Sequence, residues 1–211
     1  MNSNINNLWN SNDSKIWEKY LHKYYDAVMP NHVEIEKEME SLDVNILKDM
    51  SEFEFYKFLY NKYFYWKYTA PNRLATTRNN LEKYVKENRL NELKKIHTEI
   101  FSQDLDNIIA CIKTVKQIKG LGVAGASGLL SLMYPDKFGT VDQFAIYALL
   151  KINNFQDKDK IIKINPLNIK IKDAEFLIQI YRKKSQELNQ KFKTNFWTPR
   201  KIDQILWSID R

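Results

Sequence analysis

Residues 118–150 read IKGLGVAGASGLLSLMYPDKFGTVDQFAIYALL and contain all five glycines of the 211-residue chain: Gly120, Gly122, Gly125, Gly128 and Gly139. Glycine adopts positive φ angles at little cost, and it lets another backbone or a ligand approach closely. Because the chain uses glycine nowhere else, we expect this segment to hold both unusual backbone geometry and the functional site.

Helical patterns surround the first two glycines. Apolar residues recur at three- and four-residue steps over 105–115, and again over 129–133. The pattern predicts a helix, a tight hairpin at 120–122, and a second helix that begins among small residues, which permit close helix packing. Pro135 ends the second helix, and a loop through Val141 and Asp142 leads into a third helix over 144–150.

The same periodicity extends along most of the chain and predicts an all-α protein. Helix-start signals occur at Asp13 or Ser14, at the Ser51 and Glu54 capping box, and at Thr198 followed by Pro199. Only 160–171, KIIKINPLNIKI, alternates as a strand would, and Pro166 favours a loop there. Residues 1–12 are rich in asparagine and serine, so we expect a flexible N-terminus.

Composition limits the classes of function. The chain carries 33 Lys and Arg against 26 Asp and Glu, giving a net charge of +7. This balance is compatible with a nucleic-acid partner and also with the bias of a Lys-, Asn- and Ile-rich genome. A single cysteine excludes a disulfide framework and favours a reducing cytoplasm, associated with the nucleoid if the source is bacterial. With no apolar run of membrane length and no signal peptide, we expect no membrane association.

Other chemistries find little support in the sequence. His22, His32 and His97 are scattered, without carboxylates or cysteines at ligand spacing, so we expect no metal site. Cys111 lies beside an apolar stripe and is interpreted as a buried thiol rather than a nucleophile. Phosphate-binding and dinucleotide-binding glycine motifs are missing, which argues against nucleotide hydrolysis and hydride transfer.

The glycine-rich segment resembles the helix-hairpin-helix (HhH-GPD) superfamily of base-excision DNA glycosylases. Residues 118–122 match the hairpin, 124–132 match the following helix, and Val141 with Asp142 matches the loop that carries the family's catalytic aspartate. The specific match covers about 35 of the 211 residues. A looser similarity to uncharacterised members extends over Trp66, Lys67 and 197–207.

The resemblance implies a two-lobed helical fold, with a DNA groove between lobe 1 at about 70–155 and lobe 2 at about 13–69 plus 156–211. It implies double-stranded DNA as the partner of a monomer, and Asp142 as the catalytic carboxylate. The hairpin would bind one phosphate, and a structural monovalent cation there is compatible with the pattern; no other cofactor is expected. The implied phosphate-binding residues are Lys119, Gly120, Leu121, Gly122, Val123 and Gly125.

Departures from the family pattern narrow the expected reaction. Lys119 replaces the usual proline, and Ala124 occupies the position of the Schiff-base lysine of bifunctional members. The single Cys111 excludes the four-cysteine iron-sulfur cluster of some relatives. The resemblance therefore implies a monofunctional glycosylase without lyase activity by the family's usual route.

Ten of the 28 aromatic residues lie within 53–68, and this cluster predicts walls for a flipped base. We predict Trp66, Tyr68 and Trp197 as base-pocket residues. Three cations, Lys67, Arg73 and Arg200, are predicted to contact the DNA backbone. The upstream aromatic residues Tyr56, Tyr60, Tyr63 and Phe64 have helical spacing, which favours core packing for them over a pocket wall. A solvated helix face explains Arg200 about as well as a DNA contact does.

The catalytic interpretation has alternatives. Asp142 could be an ordinary helix cap, and the glycine hairpin could be a packing corner. A DNA-binding protein that recognises structure without base removal, or an interaction protein that binds no DNA, would use the same scaffold.

Overall fold

The computed structural model describes residues 4–209 and 211, and all regular secondary structure within them is helical, which confirms the all-α prediction. The helices are α1 Asn4–Trp9, α2 Ser14–Ala27, α3 Val33–Glu40, α4 Val44–Asp49, α5 Glu52–Phe58, α6 Phe64–Lys67, α7 Pro71–Lys86, α8 Leu90–Phe101, α9 Ile108–Val115, α10 Val123–Met133, α11 Gln143–Leu150, α12 Lys158–Ile161, α13 Ile171–Phe192 and α14 Pro199–Ser208. A 3₁₀ turn spans Pro30–His32, and a π-helical turn spans Leu59–Tyr63. No helix of the described residues is long and apolar enough to cross a membrane.

Local helix signals are confirmed where they were predicted. Asp13 caps α2 by accepting the Lys15 N–H at 2.9 Å. Ser51 and Glu54 form the predicted capping box of α5, and Thr198 caps α14 with Pro199 in its first turn. After α12 the chain continues as a loop to α13, as Pro166 predicted. Cys111 is buried, and its burial raises the thiol pKa to about 11.

One continuous hydrophobic core runs from Ile5 to Leu206. The last helix, α14, packs against α2, α11 and α13, so elements from both ends of the chain meet. Trp17 of α2 and Tyr181 of α13 are among the fully buried side chains of the core. The core thereby joins the elements that carry the glycine-rich segment to those at the two ends.

The N-terminal segment differs from the expected flexible tail. Residues 1–3 lie outside the described residues, whereas α1 buries Ile5, Leu8 and Trp9. Trp9 packs against Trp17, with ring centroids 6.1 Å apart, and against Phe155 at 5.8 Å. These three apolar side chains have helical spacing and form a buried face. The prediction of a flexible segment relied on the high asparagine content and overlooked this spacing.

The hairpin between α9 and α10 needs glycine at one of its two positions. Gly120 has a φ of +97°, and a Cβ atom there would lie 2.8 Å from the carbonyl oxygen of Thr77. Gly122 has an extended backbone, and nothing lies within 4 Å of the place where its Cβ would be. Only the first hairpin glycine therefore fulfils the predicted need for positive φ.

The remaining glycines allow close packing. A Cβ atom on Gly139 would lie 2.7 Å from the Pro199 carbonyl oxygen and from the Tyr181 ring. A Cβ on Gly125 would clash with the Tyr68 hydroxyl, and one on Gly128 would lie 2.9 Å from the Tyr63 hydroxyl. Bare backbone at these positions lets α6 and α14 approach α10 and the loop that follows it.

We expect Gly120→Ala to lower the free energy of unfolding by about 2–3 kcal/mol, because alanine is strained at this φ and its methyl group meets the Thr77 carbonyl. Gly122→Ala is the matched control and should change it by less than about 1 kcal/mol. Urea denaturation followed by circular dichroism measures both values. Equal effects of the two substitutions would contradict this assignment.

Candidate functional site

A cleft of about 820 Å³ opens between α10 and the elements packed around it. Its walls come from α2, α3, α6, α7, the hairpin, the Asp142 loop, the 166–169 loop and α14. Its volume lies within the range of small-molecule and cofactor sites. Of the residues predicted as functional, the cleft brings together Trp66, Lys67, Tyr68, Arg73, Gly120, Gly122, Val123, Gly125, Asp142 and Arg200.

The loop before Asp142 is fixed by hydrogen bonds. The Thr140 N–H donates to Asp203 Oδ2 at 2.6 Å, and the Val141 N–H donates to Ser127 Oγ at 3.0 Å. The hydroxyl groups of Thr140 and Ser131 share a further bond of 3.0 Å. Because these contacts come from α10 and α14, both helices determine where Asp142 enters the cleft.

Asp142 combines a structural contact with a free oxygen. Its Oδ1 accepts the Phe144 N–H at 2.9 Å and the Ala145 N–H at 3.0 Å, so it caps α11. Its Oδ2 accepts no hydrogen bond from any residue that the structure describes. The cap holds the carboxylate in one orientation and leaves an oxygen for another partner.

The start of α10 presents unbonded backbone donors to the cleft. The N-cap, Gly122, has no side chain to satisfy them, and the N–H groups of Val123, Ala124 and Gly125 have no acceptor within residues 4–209 and 211. All four residues line the cleft. Free N–H groups together with the positive end of a helix dipole favour an anion.

Two predicted phosphate-binding residues do not line the cleft. The Lys119 N–H donates to the Tyr84 hydroxyl at 3.2 Å, and the Leu121 N–H donates to the Ile118 carbonyl at 3.0 Å. The Lys119 ammonium group lies 3.6 Å from a carboxylate oxygen of Glu87. The available donors therefore lie at the helix start rather than along the whole hairpin.

Arg200, predicted to contact the DNA backbone, lines the cleft and belongs to a buried charge network. It is 7% exposed, and its Nη1 lies 3.0 Å from Asp203 Oδ1. Its Nη2 lies 3.3 Å from Glu36 Oε1 and donates to the Tyr24 hydroxyl at 3.1 Å. Burying a guanidinium group requires such partners. The Nε of Arg200 is buried without a hydrogen-bonding partner among the described residues.

Glu36 extends the network to the aromatic cluster. It accepts a hydrogen bond from the Tyr24 hydroxyl at 2.6 Å and another from Trp66 Nε1 at 2.6 Å. Burial raises the pKa of Asp203 to about 7, although the Arg200 charge acts in the opposite direction. The network thus connects α2, α3 and α6 to α14 and to the Asp142 loop. Sequence reasoning missed Glu36 and Tyr24, because no local pattern relates them to Arg200.

The predicted base-pocket residues have different surroundings. Trp197 is 3% exposed, packs edge-to-face on Trp17 at 6.0 Å and does not line the cleft. Its apolar neighbours from α2 place it in the core. Trp66 lines the cleft, but the Arg200 guanidinium lies 5.3 Å from its ring centroid. Tyr68 lies beside Gly125, and burial raises its pKa to about 12.

Other aromatic residues of the cleft were not predicted. Phe144 and Trp207 are partly exposed there and pack edge-to-face, with centroids 6.3 Å apart. The Arg211 guanidinium lies 3.8 Å from the Trp207 ring centroid. His32 Nε2 is buried without a hydrogen-bonding partner among the described residues. Phe144 follows Asp142 by two positions, which was the one sequence signal for its place at the site.

Lys67 lies in the cleft with Asp142. Its Nζ makes no hydrogen bond or ion pair with a described residue. Burial lowers the pKa of its amine, and the negative charges of Asp142 and Asp203 offset part of that effect. Lys67 was predicted to contact the DNA backbone, and in the structure its side chain lies inside the cleft. No cluster of His, Cys, Asp and Glu suited to a metal occurs in the described residues.

Comparisons with protein-family models, with curated proteins and with solved structures each found no match. The function is therefore inferred from the cleft. Its features are a capped aspartate with one free oxygen, an open helix start, a partly exposed aromatic pair and an enclosed lysine.

Replacing Arg200 by methionine should lower the free energy of unfolding by about 3–5 kcal/mol, because Glu36 and Asp203 would stay buried without their cation. Arg73→Met, at an exposed position of the same cleft, should change it by less than about 0.5 kcal/mol. Chemical denaturation of both variants tests this prediction. A stability loss of similar size in the two would refute the structural role of Arg200.

Proposed function

We propose that the protein is a DNA N-glycosylase with a two-lobed HhH-GPD-like fold, which hydrolyses the bond between a damaged or modified base and its sugar. The observation that supports this most is that Asp142 and the open start of α10 line one cleft. A carboxylate can stabilise the sugar as its bond to the base breaks. An anion-binding helix end can hold a phosphate of the same strand.

Asp142 would act on the sugar. Breaking the glycosidic bond builds positive charge around C1′, and a fixed carboxylate stabilises that charge as it develops. Its free oxygen can also orient the attacking water, while the cap by Oδ1 prevents the side chain from turning away. Ala124 supplies no amine at the family's lysine position, so we propose that water, oriented by Asp142, displaces the base.

The rest of the cleft would hold the flipped nucleotide. A base must leave the duplex stack before a side chain can reach its sugar, and planar side chains compensate for the lost stacking. Phe144, two residues after Asp142, and Trp207, which packs edge-to-face on it, supply such surfaces in the same cleft. The N–H groups of α10 would bind one phosphate and set the register without reading sequence.

The test is an excision screen with duplexes that carry uracil, 8-oxoguanine, alkylated purines, hypoxanthine or mismatches, each treated with alkali to reveal abasic sites. We expect cleavage of at least one, and we expect Asp142→Asn to reduce its rate by about 100-fold or more through loss of the negative charge. Asp136→Asn, exposed and outside the cleft, is the control. Full activity of Asp142→Asn would exclude the assigned role.

The capping bonds of Asp142 favour one alternative, a non-catalytic protein that recognises DNA structure on the same scaffold. In that case Asp142 is needed for the fold alone. Salt-sensitive DNA binding without excision on any duplex of the screen would support this alternative.

The proposed phosphate site gives a separate prediction. Ala124→Glu adds a negative charge at the start of α10, where it favours the helix but repels a phosphate. We expect DNA affinity to fall about five- to tenfold at low salt, measured by fluorescence anisotropy. Asn91→Glu makes the same charge change in the exposed first turn of α8, outside the cleft. If both variants weaken binding equally, the phosphate does not bind at α10.

A further inference from the structure

We infer that Lys67 is a second catalytic group of the cleft, whose amine condenses with the aldehyde of an abasic sugar and promotes strand cleavage on the 3′ side. This inference rests on the proposed function, because base removal is what leaves an abasic sugar beside Asp142. It adds a lyase reaction that Ala124, at the family's lysine position, cannot perform.

The backbone of α10 makes room for Lys67. Lys67 is the last residue of α6, and its stem passes over Gly128. A Cβ atom at Gly128 would lie 3.3 Å from both Cδ and Cε of the lysine. Glycine at this position therefore opens the path by which the amine reaches the cleft.

The amine of Lys67 lies 5.8 Å from the Trp66 ring centroid but pairs with no carboxylate or carbonyl oxygen of the described residues. Lys184, for comparison, lies 2.7 Å from Glu187 and donates to the Trp9 carbonyl. Lys67 Nζ has no oxygen within bonding distance among the described residues, although the cleft also holds Asp142, Asp203, Glu36 and Arg200. A partly buried lysine whose amine has no oxygen partner is typical of a functional group rather than a structural one.

The environment favours the nucleophilic form of the amine. Burial and the positive charge of Arg200 lower the pKa of Lys67, whereas the carboxylates of Asp142, Asp203 and Glu36 raise it, with a net decrease. A lysine with a lowered pKa is unprotonated more often at neutral pH, and this is the form that attacks a carbonyl carbon.

The reaction balances without an oxidant or reductant. The amine adds to the C1′ aldehyde, and loss of one water gives an imine that is protonated to an iminium ion. The carboxylate of Asp142, which lines the same cleft, accepts the C2′ proton. The C2′–H electron pair becomes the C2′–C3′ double bond, and the C3′–O bond breaks with departure of the phosphate. One water then hydrolyses the conjugated imine and restores Lys67.

The experiment uses a duplex with a preformed abasic site, so that its outcome does not depend on which base the protein removes. The protein is incubated with this duplex and sodium borohydride, which reduces the imine to a stable covalent adduct. We expect the wild type to form an adduct whose tryptic peptide carries the sugar on Lys67. We expect Lys67→Met to reduce adduct formation at least 100-fold, while Lys62→Met, an exposed position on the preceding turn, retains it.

Lys67→Arg separates this chemistry from a phosphate contact. Arginine keeps the positive charge, so it should preserve affinity for the abasic duplex but form no adduct. Recovery of the adduct by Lys67→Arg, an adduct on another residue, or no adduct with wild type would overturn the inference. Excision in the base screen without any adduct would leave the glycosylase proposal standing. An adduct on Lys67 without excision of any base would instead retain the lyase and reject the glycosylase.

Discussion

The pairing of Arg200 with Asp203 and Glu36 is the interaction on which the arrangement of the cleft depends. Asp203 balances the guanidinium charge and also accepts the Thr140 N–H, so the ion pair and the Asp142 loop share one carboxylate. Glu36 does the equivalent for the opposite wall, because it holds both Arg200 and Trp66. Buried charges of this kind add little net stability, and they are satisfied in few arrangements. Here they specify where two walls of a cleft meet.

Glycine residues at points of close contact are the second determinant of the site. Gly139 brings the Asp142 loop against the start of α14, and Gly128 leaves space for the stem of Lys67. The Tyr63 hydroxyl donates to the Gly125 carbonyl, which joins the aromatic cluster to the first turn of α10. The amine, the carboxylate and the open helix start are therefore brought together by contacts with bare backbone, and these depend on glycine where a side chain would separate the elements.

Local sequence signals predicted local structure well. The caps at Asp13, Ser51 and Thr198 involve neighbours within a few residues, so they could be read from the chain. The environment of Arg200 depends on Glu36, 164 positions away, and no local pattern contains that pairing. For the same reason Trp197, which packs on Trp17, and the Lys119 N–H, which meets Tyr84, could not be placed. Hydrophobic periodicity identifies a buried face, but it does not identify what that face contacts.

The π-helical turn at Leu59–Tyr63 bears on how the lysine came to face the cleft. In it the Phe64 N–H donates to the Leu59 carbonyl, which inserts one residue into an otherwise regular helix. Every later side chain is thereby rotated by about 100° relative to a straight α-helix. Phe55 and Phe58 can face the core while Trp66 and Lys67 face the cleft. The extra residue in the turn therefore determines which side chains after it face the cleft. With one residue fewer, the Lys67 amine would point away from the cleft.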